Sequence, residues 1–281
     1  MSTTEREEPS ALTLDEDPQL PQSTRRGNTR RRDKVIQVVG PIVILAIVLV
    51  AWHLAIVIFD VSQFVVPSPS DTLNALWHGL VVDGTYWPEL WYTLRNSLLG
   101  LLFGGLIGII FGTLLAASPM AERLLHPFLV GFQTFPKVAI VPILTVWFGF
   151  GATPKVIVAA ILAFFPLMVN TYTGMLSVLR TEYELMHSLR ASKMQIFFKL
   201  KLPRAVPSIL AGLELAIVYS LLGAVTAEFL GGSDGLGHLS QVRASVLDTP
   251  TVFAILVIFG ALGSALYEIV SLIRRRFGYW Q

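Results

Sequence analysis

The chain contains no cysteine. That excludes a disulfide-stapled scaffold, thiolate zinc sites, iron–sulfur clusters and a cysteine nucleophile. Charge is scarce as well. Asp, Glu, Lys and Arg make up 14% of the 281 residues, against roughly 25% in a soluble domain. Hydrophobic residues reach 53% and the mean hydropathy is +0.64. This excludes an ordinary soluble enzyme, a disordered chain and an outer-membrane barrel, whose lumen face keeps every second strand residue polar. The net charge of +2 gives a nucleic-acid role no support. No G-x-x-x-x-G-K-[ST] loop and no H-E-x-x-H occurs. The five histidines (His53, His78, His126, His187, His238) are scattered. No metal site and no cofactor are expected, and no paired-carboxylate or Ser/Lys constellation points to an enzyme.

What remains is long stretches without charge. Residues 35–59, 96–121 and 156–179 contain no Asp, Glu, Lys or Arg. Residues 205–230 carry only Glu214 and Glu228, 249–273 only Glu268, and 124–154 only Lys137. A membrane helix needs about 20 mostly apolar residues to cross the hydrocarbon core. The expected fold is therefore an all-α membrane protein with six transmembrane helices, at about 35–59, 92–117, 126–149, 155–175, 206–229 and 251–273. Residues 1–34 are acidic, then basic, and almost free of apolar residues able to form a core. They read as a disordered cytoplasmic tail, followed by a membrane domain over 35–281. The apolar run after the tail is too long for a secretory signal.

Lys and Arg set the orientation. Seventeen of the 21 fall in the tail, at Arg123, in 176–205 and at Arg274–Arg276. The alternate segments hold only Arg95, Lys155 and Arg243. Both termini are thus expected in the cytoplasm. Trp77, Trp87, Trp91 and Tyr92 precede the second span as an interfacial aromatic belt, and 71–82 reads as a short helix near the surface. Small residues recur every four positions in the second span (Gly100, Gly104, Gly108, Gly112, Ala116) and the fifth (Gly212, Ala216, Ser220, Ala224). Such rows let another backbone approach closely, within the chain or between subunits.

The longest expected cytoplasmic segment, 176–205, is more patterned than a basic anchor requires. Thr181 with Glu184, and Ser192 with Gln195, fit capping boxes, so two short helices are expected at about 182–190 and 193–200, closed by Leu202-Pro203. Tyr183, Leu185, Met186 and Leu189 in the first, and Met194, Ile196 and Phe197 in the second, give these helices an apolar side that must rest on the membrane domain or on a partner. Among ionisable or polar groups at membrane depth, Glu228, Lys137, Gln133, Thr134, Asn170 and Thr173 either line a substrate path or hydrogen-bond between helices. Pro136 and Pro142 flank Lys137 and can break the third span.

Residues 184–203 resemble the cytoplasmic EAA loop of permease subunits in ATP-binding-cassette (ABC) importers. Glu184 takes the place of the Glu, and Leu202 and Pro203 those of the terminal Leu-Pro. Leu200 replaces Ile, Leu185 and Met186 replace two Ala, and Arg190 stands where that family has Gly. A Gly there supplies positive φ, so Arg190 implies either a different turn or strain. VPSPSDTL (66–73), FPKVAIVPILTVWFGFG (135–151) and AEFLGGSDGLGHL (227–239) resemble the sulfonate, taurine and nitrate branch. The resemblance implies a type I importer permease fold with its core at about 92–273, a second permease copy, cytoplasmic ABC ATPase subunits that hydrolyse the ATP, and an extracytoplasmic solute-binding protein. It places Glu184, Leu185, Met186, Arg190, Leu202 and Pro203 at the ATPase contact, in the cytoplasmic membrane, with a small anion such as a sulfonate, taurine or nitrate as the solute. An ion-gradient-driven transporter, with Glu228 or Lys137 as coupling group, is the rival reading.

Overall fold

The structure is a computed structural model that describes residues 26–277. The described residues form helices and turns, with no strand among them. They divide into two units, one ending at Leu54 and one beginning at Ala55. The expected tail lies outside the described residues up to residue 25. From Arg26 the chain is already helical, because helix α1, Arg26–Ile58, extends the first span toward its N-terminus.

In the second unit α2 spans Pro69–Trp77 and runs into a wide π turn at His78–Val82. The VPSPSDTL stretch starts it. The Asp71 N–H donates to Ser68 Oγ at 3.1 Å, the Ser68 hydroxyl donates to the Asp71 carboxylate at 2.7 Å, and Pro69 fills the first turn, where no N–H is needed. Then come α3 (Tyr86–Ala117), α4 (Pro119–Thr134), α5 (Val141–Phe148), α6 (Ala152–Leu176), α7 (Arg180–Ser188), α8 (Lys193–Ile196), α9 (Leu202–Gly231), α10 (Leu236–Ser245) and α11 (Thr249–Phe277). Among the described residues five helical runs are long and apolar enough to cross a membrane: α1 from Val39, α3, α6, the run Lys193–Gly231 that ends in α9, and α11. The expected third span is present as a broken one. α4 stops at Thr134, Lys137–Ile140 forms a tight helical turn, and α5 follows. Pro136 and Pro142 lack the N–H groups a continuous helix would use there.

Helix α6 is the centre of the bundle, with α3 on one side and α9 on the other. Both rows of small residues reach it. A Cβ added to Gly104 would lie 2.8 Å from the Ala160 Cα, and one on Gly212 would lie 3.1 Å from the Pro166 carbonyl oxygen; Gly223, beside the second row, would place one 2.8 Å from the Ala159 Cα. Ala159 and Ala163 of α6 are fully buried, so small residues meet small residues and the helix axes close up. Ser220 on α9 donates to the Ser97 carbonyl of α3 at 2.5 Å, tying the outer pair together. Glu214, almost buried in α9, pairs with Arg274 of α11 at 2.7 Å.

Candidate functional site

At one end of the bundle the chain leaves α6 at Leu176 and returns in α9 through the segment singled out in the sequence. Only half of the first capping box forms, two residues earlier than expected. Leu179, not Thr181, is extended before α7, and its N–H donates to the Glu182 carboxylate at 3.1 Å. Glu182 also pairs with Arg204 at the start of α9, which fixes this register. The Arg204 guanidinium, and then the Leu179 N–H, hold the Glu182 carboxyl below its ordinary range. This tie is therefore complete above the usual carboxylate pKa and is lost only as pH falls through the lowered value. Glu184 caps nothing. It pairs with Arg180 one turn back at 2.8 Å, and both side chains face solvent, an arrangement that contributes little to stability.

The turn between α7 and α8 is a Schellman motif. The Ala191 N–H donates to the Met186 carbonyl at 3.0 Å and the Arg190 N–H to the His187 carbonyl at 2.9 Å. Arg190 occupies its left-handed position, at φ +54°. The turn is thus built as a glycine would build it, and the arginine carries roughly 1–2 kcal/mol of strain. Arg190→Gly should recover about 0.5–1 kcal/mol of this after the extra freedom of an unfolded glycine is counted. Hydrogen exchange at the Ala191 amide should slow about two- to fivefold. Faster exchange in the variant would show that the arginine is unstrained.

The second capping box is where the sequence put it. The Ser192 N–H donates to Gln195 Oε1 at 2.8 Å and the Gln195 N–H to Ser192 Oγ at 3.3 Å. Leu202-Pro203 does not close the segment, however. A π turn at Phe197–Lys201, in which the Leu202 N–H bonds to the Phe197 carbonyl five residues back, carries the helix through to α9 and accommodates Pro203. Ile196 is buried against the bundle, whereas Leu185 (59% exposed), Leu189 (69%) and Met194 (67%) are not, and Met186 is half-buried. The loop therefore presents an apolar surface that the membrane domain leaves uncovered.

The opposite end holds a buried polar knot. Glu228 is fully buried. Its carboxylate accepts from the Thr93 hydroxyl at 2.8 Å and the Gly237 N–H at 3.0 Å, while Thr93 Oγ1 accepts the Leu236 N–H at 2.9 Å. Glu89 takes the Gly235 N–H at 2.5 Å, and Lys155, 1% exposed, donates to the Asp234 carbonyl at 2.7 Å. Gly235 has φ +102°, and a Cβ there would meet the Glu228 carboxylate, so only glycine lets the turn sit over it. Glu89, Thr93 and Lys155 were not singled out in the sequence. Their partners lie far along the chain, and no local pattern marks them.

The four path candidates do not come together. Glu228 belongs to the knot. Asn170 donates to the Pro166 carbonyl of its own helix at 2.8 Å and packs on Gly212. Gln133 and Lys137 are neighbours at the break in the third span. Lys137 Nζ donates to the Gln133 carbonyl at 3.1 Å and lies 5.1 Å from the centre of the Phe165 ring. Gln133 also lines a cavity of about 240 Å³ between α4 and α6, with Glu122, Tyr172 and Thr173. The Tyr172 hydroxyl hydrogen-bonds to the Glu122 carboxylate. Glu122 and Tyr172 join the candidates only through the fold, because α4 and α6 are separated in sequence by α5.

Residues 104–279 match the family described as the binding-protein-dependent transport system inner membrane component. The chain is 33% identical over 227 residues to the formylaminopyrimidine transport permease protein ThiX of Halalkalibacterium halodurans, covering 81% of this chain and 90% of that one. It is 31% identical to the riboflavin transport system permease protein RibX of Chloroflexus aurantiacus, over 85% of this chain and 89% of the relative. It is 30% identical to the putative aliphatic sulfonates transport permease protein SsuC of Bacillus subtilis, over 84% of this chain and 85% of the relative. In fold it is similar to a chain of the inward-facing MetNI methionine ABC transporter, with a TM-score of 0.62 at 19% identity, covering 69% of this chain and 98% of that chain. This chain therefore belongs to the family of binding-protein-dependent inner-membrane transport components, as a multi-pass permease subunit of an ABC importer.

Proposed function

We propose that two copies of this chain form the membrane pore of the importer, with both termini and the segment 180–201 in the cytoplasm and α7–α8 seated on the ABC ATPase. The observation that carries this reading is the uncovered apolar surface of Leu185, Leu189 and Met194 on a segment held by Glu182–Arg204, the Schellman turn and the Ser192 cap. A fixed apolar surface outside the membrane transmits motion in a way a flexible loop cannot. Closure of the ATPase pair would push on α7, and Arg204 would pass that push to α9, which packs along α6. Leu185 and Met186 lie at the contact, Arg190 shapes the turn, and Leu202 and Pro203 sit where the π turn enters α9. Glu184 and Arg180 offer a charged edge for the ATPase to pair with.

The solute we assign is a small organic anion of the sulfonate type, delivered by the binding protein. The resemblance of 66–73, 135–151 and 227–239 to that branch supports it, as does Lys137 beside Gln133 at the break in the third span. A pyrimidine-like solute is the second reading, favoured by the relative named for formylaminopyrimidine and by the hydrogen-bonding Gln133, Glu122 and Tyr172 at one cavity. Competition for uptake by taurine against competition by an aminopyrimidine separates the two. The orientation is tested by single cysteines in this cysteine-free chain. In intact cells a membrane-impermeant maleimide should label Ser245→Cys and spare Ser188→Cys. The reverse pattern would place the segment 180–201 outside and remove it from any ATPase.

A further inference from the structure

At the end of the bundle that carries segment 180–201, α3, α6 and that segment enclose a half-open cavity of about 340 Å³. Its floor is apolar and includes Met175 and Ile196, both buried. Its polar groups are Thr113, Tyr183, Lys193 and Lys201. All four can donate a hydrogen bond, and no carboxylate lines the cavity. The nearby acids are already engaged, Glu182 with Arg204 and Glu184 with Arg180. Neither ammonium group has an ion-pair or hydrogen-bond partner among the described residues.

The placement of the two ammonium groups follows from the π turn. Lys193 and Lys201 are eight positions apart in one helical run. In a regular α-helix that spacing leaves them about 80° apart around the axis. The turn at Phe197–Lys201 takes more residues per revolution and reverses this drift, so both lysines line one cavity. Pro203 accounts for the turn, and the paired lysines are its consequence. The cavity also lies where α3 ends, at Ala116 and Ala117, which is the level of lipid headgroups for a spanning helix.

We propose that this cavity binds a phosphate-bearing anion, either the headgroup of an anionic phospholipid in the adjacent leaflet or free phosphate. Lys193 and Lys201 hold the phosphate oxygens, the Thr113 and Tyr183 hydroxyls complete the donor set, and the apolar floor lies under the first carbons of a lipid. Basic pockets between helix ends at the cytoplasmic headgroup level have this chemistry. Because Tyr183 belongs to α7, an occupied cavity braces α7 against α3 and α6 and links the stiffness of the segment 180–201 to anionic lipid. The site rests on the proposed orientation only for the name of the leaflet.

The test uses the full-length permease in uncharged detergent, without ATPase, so that it stands or falls apart from the coupling reading. Thermal unfolding is followed while phosphatidylglycerol, phosphatidylcholine or inorganic phosphate is added. Phosphatidylglycerol should raise Tm saturably and phosphatidylcholine should not. Lys193→Gln and Lys201→Gln should each weaken the apparent affinity about fivefold, and the doubly substituted Arg variant should keep it. Lys199→Gln removes the same charge outside the cavity and should leave it unchanged. A response to phosphate as well as phosphatidylglycerol identifies the free anion, and a response to phosphatidylglycerol alone identifies the lipid. Equal responses to both lipids, no response to any phosphate compound, or an equal loss from Lys199→Gln would overturn the site. If one of the two single Gln variants does not stay folded, the other gives the decision.

Discussion

Replacing Leu185 and Leu189 together with Asp should leave a permease that inserts and folds but no longer retains its ATPase, with uptake falling to the level of cells lacking the transporter. Both side chains are more than half exposed in the isolated chain, so the substitutions take nothing from its core. Their cost appears only when the ATPase covers them. Two carboxylates must then leave water for an apolar contact without partners, at about 3 kcal/mol or more for the pair. That weakens the complex at least about a hundredfold. The spans are unaffected, because their backbone hydrogen bonds are made within each helix. The pair Leu185→Asn and Leu189→Asn, polar but uncharged, should give an intermediate loss. Co-purification with the ATPase is the readout. Wild-type stoichiometry in the Asp variant would show that this surface is not the contact.

Gly104→Leu should prevent assembly of the bundle. A Cβ at this position would lie 2.7 Å from the Ala160 carbonyl carbon and 2.8 Å from its Cα. These are backbone atoms of the central helix, so the neighbour cannot rotate away as a side chain would. The helices must separate instead, and the loss spreads along the row to Gly108 and Gly112, whose added Cβ atoms would also meet α6. We expect a cost well above about 3 kcal/mol and loss of the monodisperse species in detergent. Gly131→Ala, with open space around its Cβ, is the matched control and should purify normally. A well-folded Gly104→Leu protein would mean that α3 and α6 do not pack as described.

The positions of the spans were readable in the sequence because they rest on composition. A helix in lipid must be apolar over its whole circumference, so missing charge marks it regardless of tertiary context. The small-residue rows at Gly100–Ala116 and Gly212–Ala224 were readable for the same reason, but not the helix they face. Helix α6 presents Ala159, Ala163, Leu167 and Met168, which carries no comparable row of glycines. The break at Pro136 and Pro142 was visible as missing backbone donors. Local signals misled where a distant partner decided. Thr181 and Glu184 form a valid capping pair by spacing, yet Glu182 is held by Arg204, and that contact sets the start of α7. Pro203 signals a helix end by every local rule, and a π turn carries the chain past it. Arg190 posed a choice between a new turn and a strained one, and only the backbone angle resolves it. Glu228 was open between a path and a structural bond, and its partner Thr93 lies 135 residues away.

On the function proposed above, transport by this chain is driven through the segment 180–201 by ATP hydrolysed on another subunit. The most direct test is solute uptake into proteoliposomes holding the permease with its ATPase and with ATP inside or outside, the binding protein being supplied on the opposite face. Uptake should require ATP on the side of segment 180–201, stop when the ATPase is omitted, and persist when an ionophore collapses every ion gradient. Uptake driven by a proton or sodium gradient in vesicles containing the permease alone would contradict it, and would make this chain a secondary transporter.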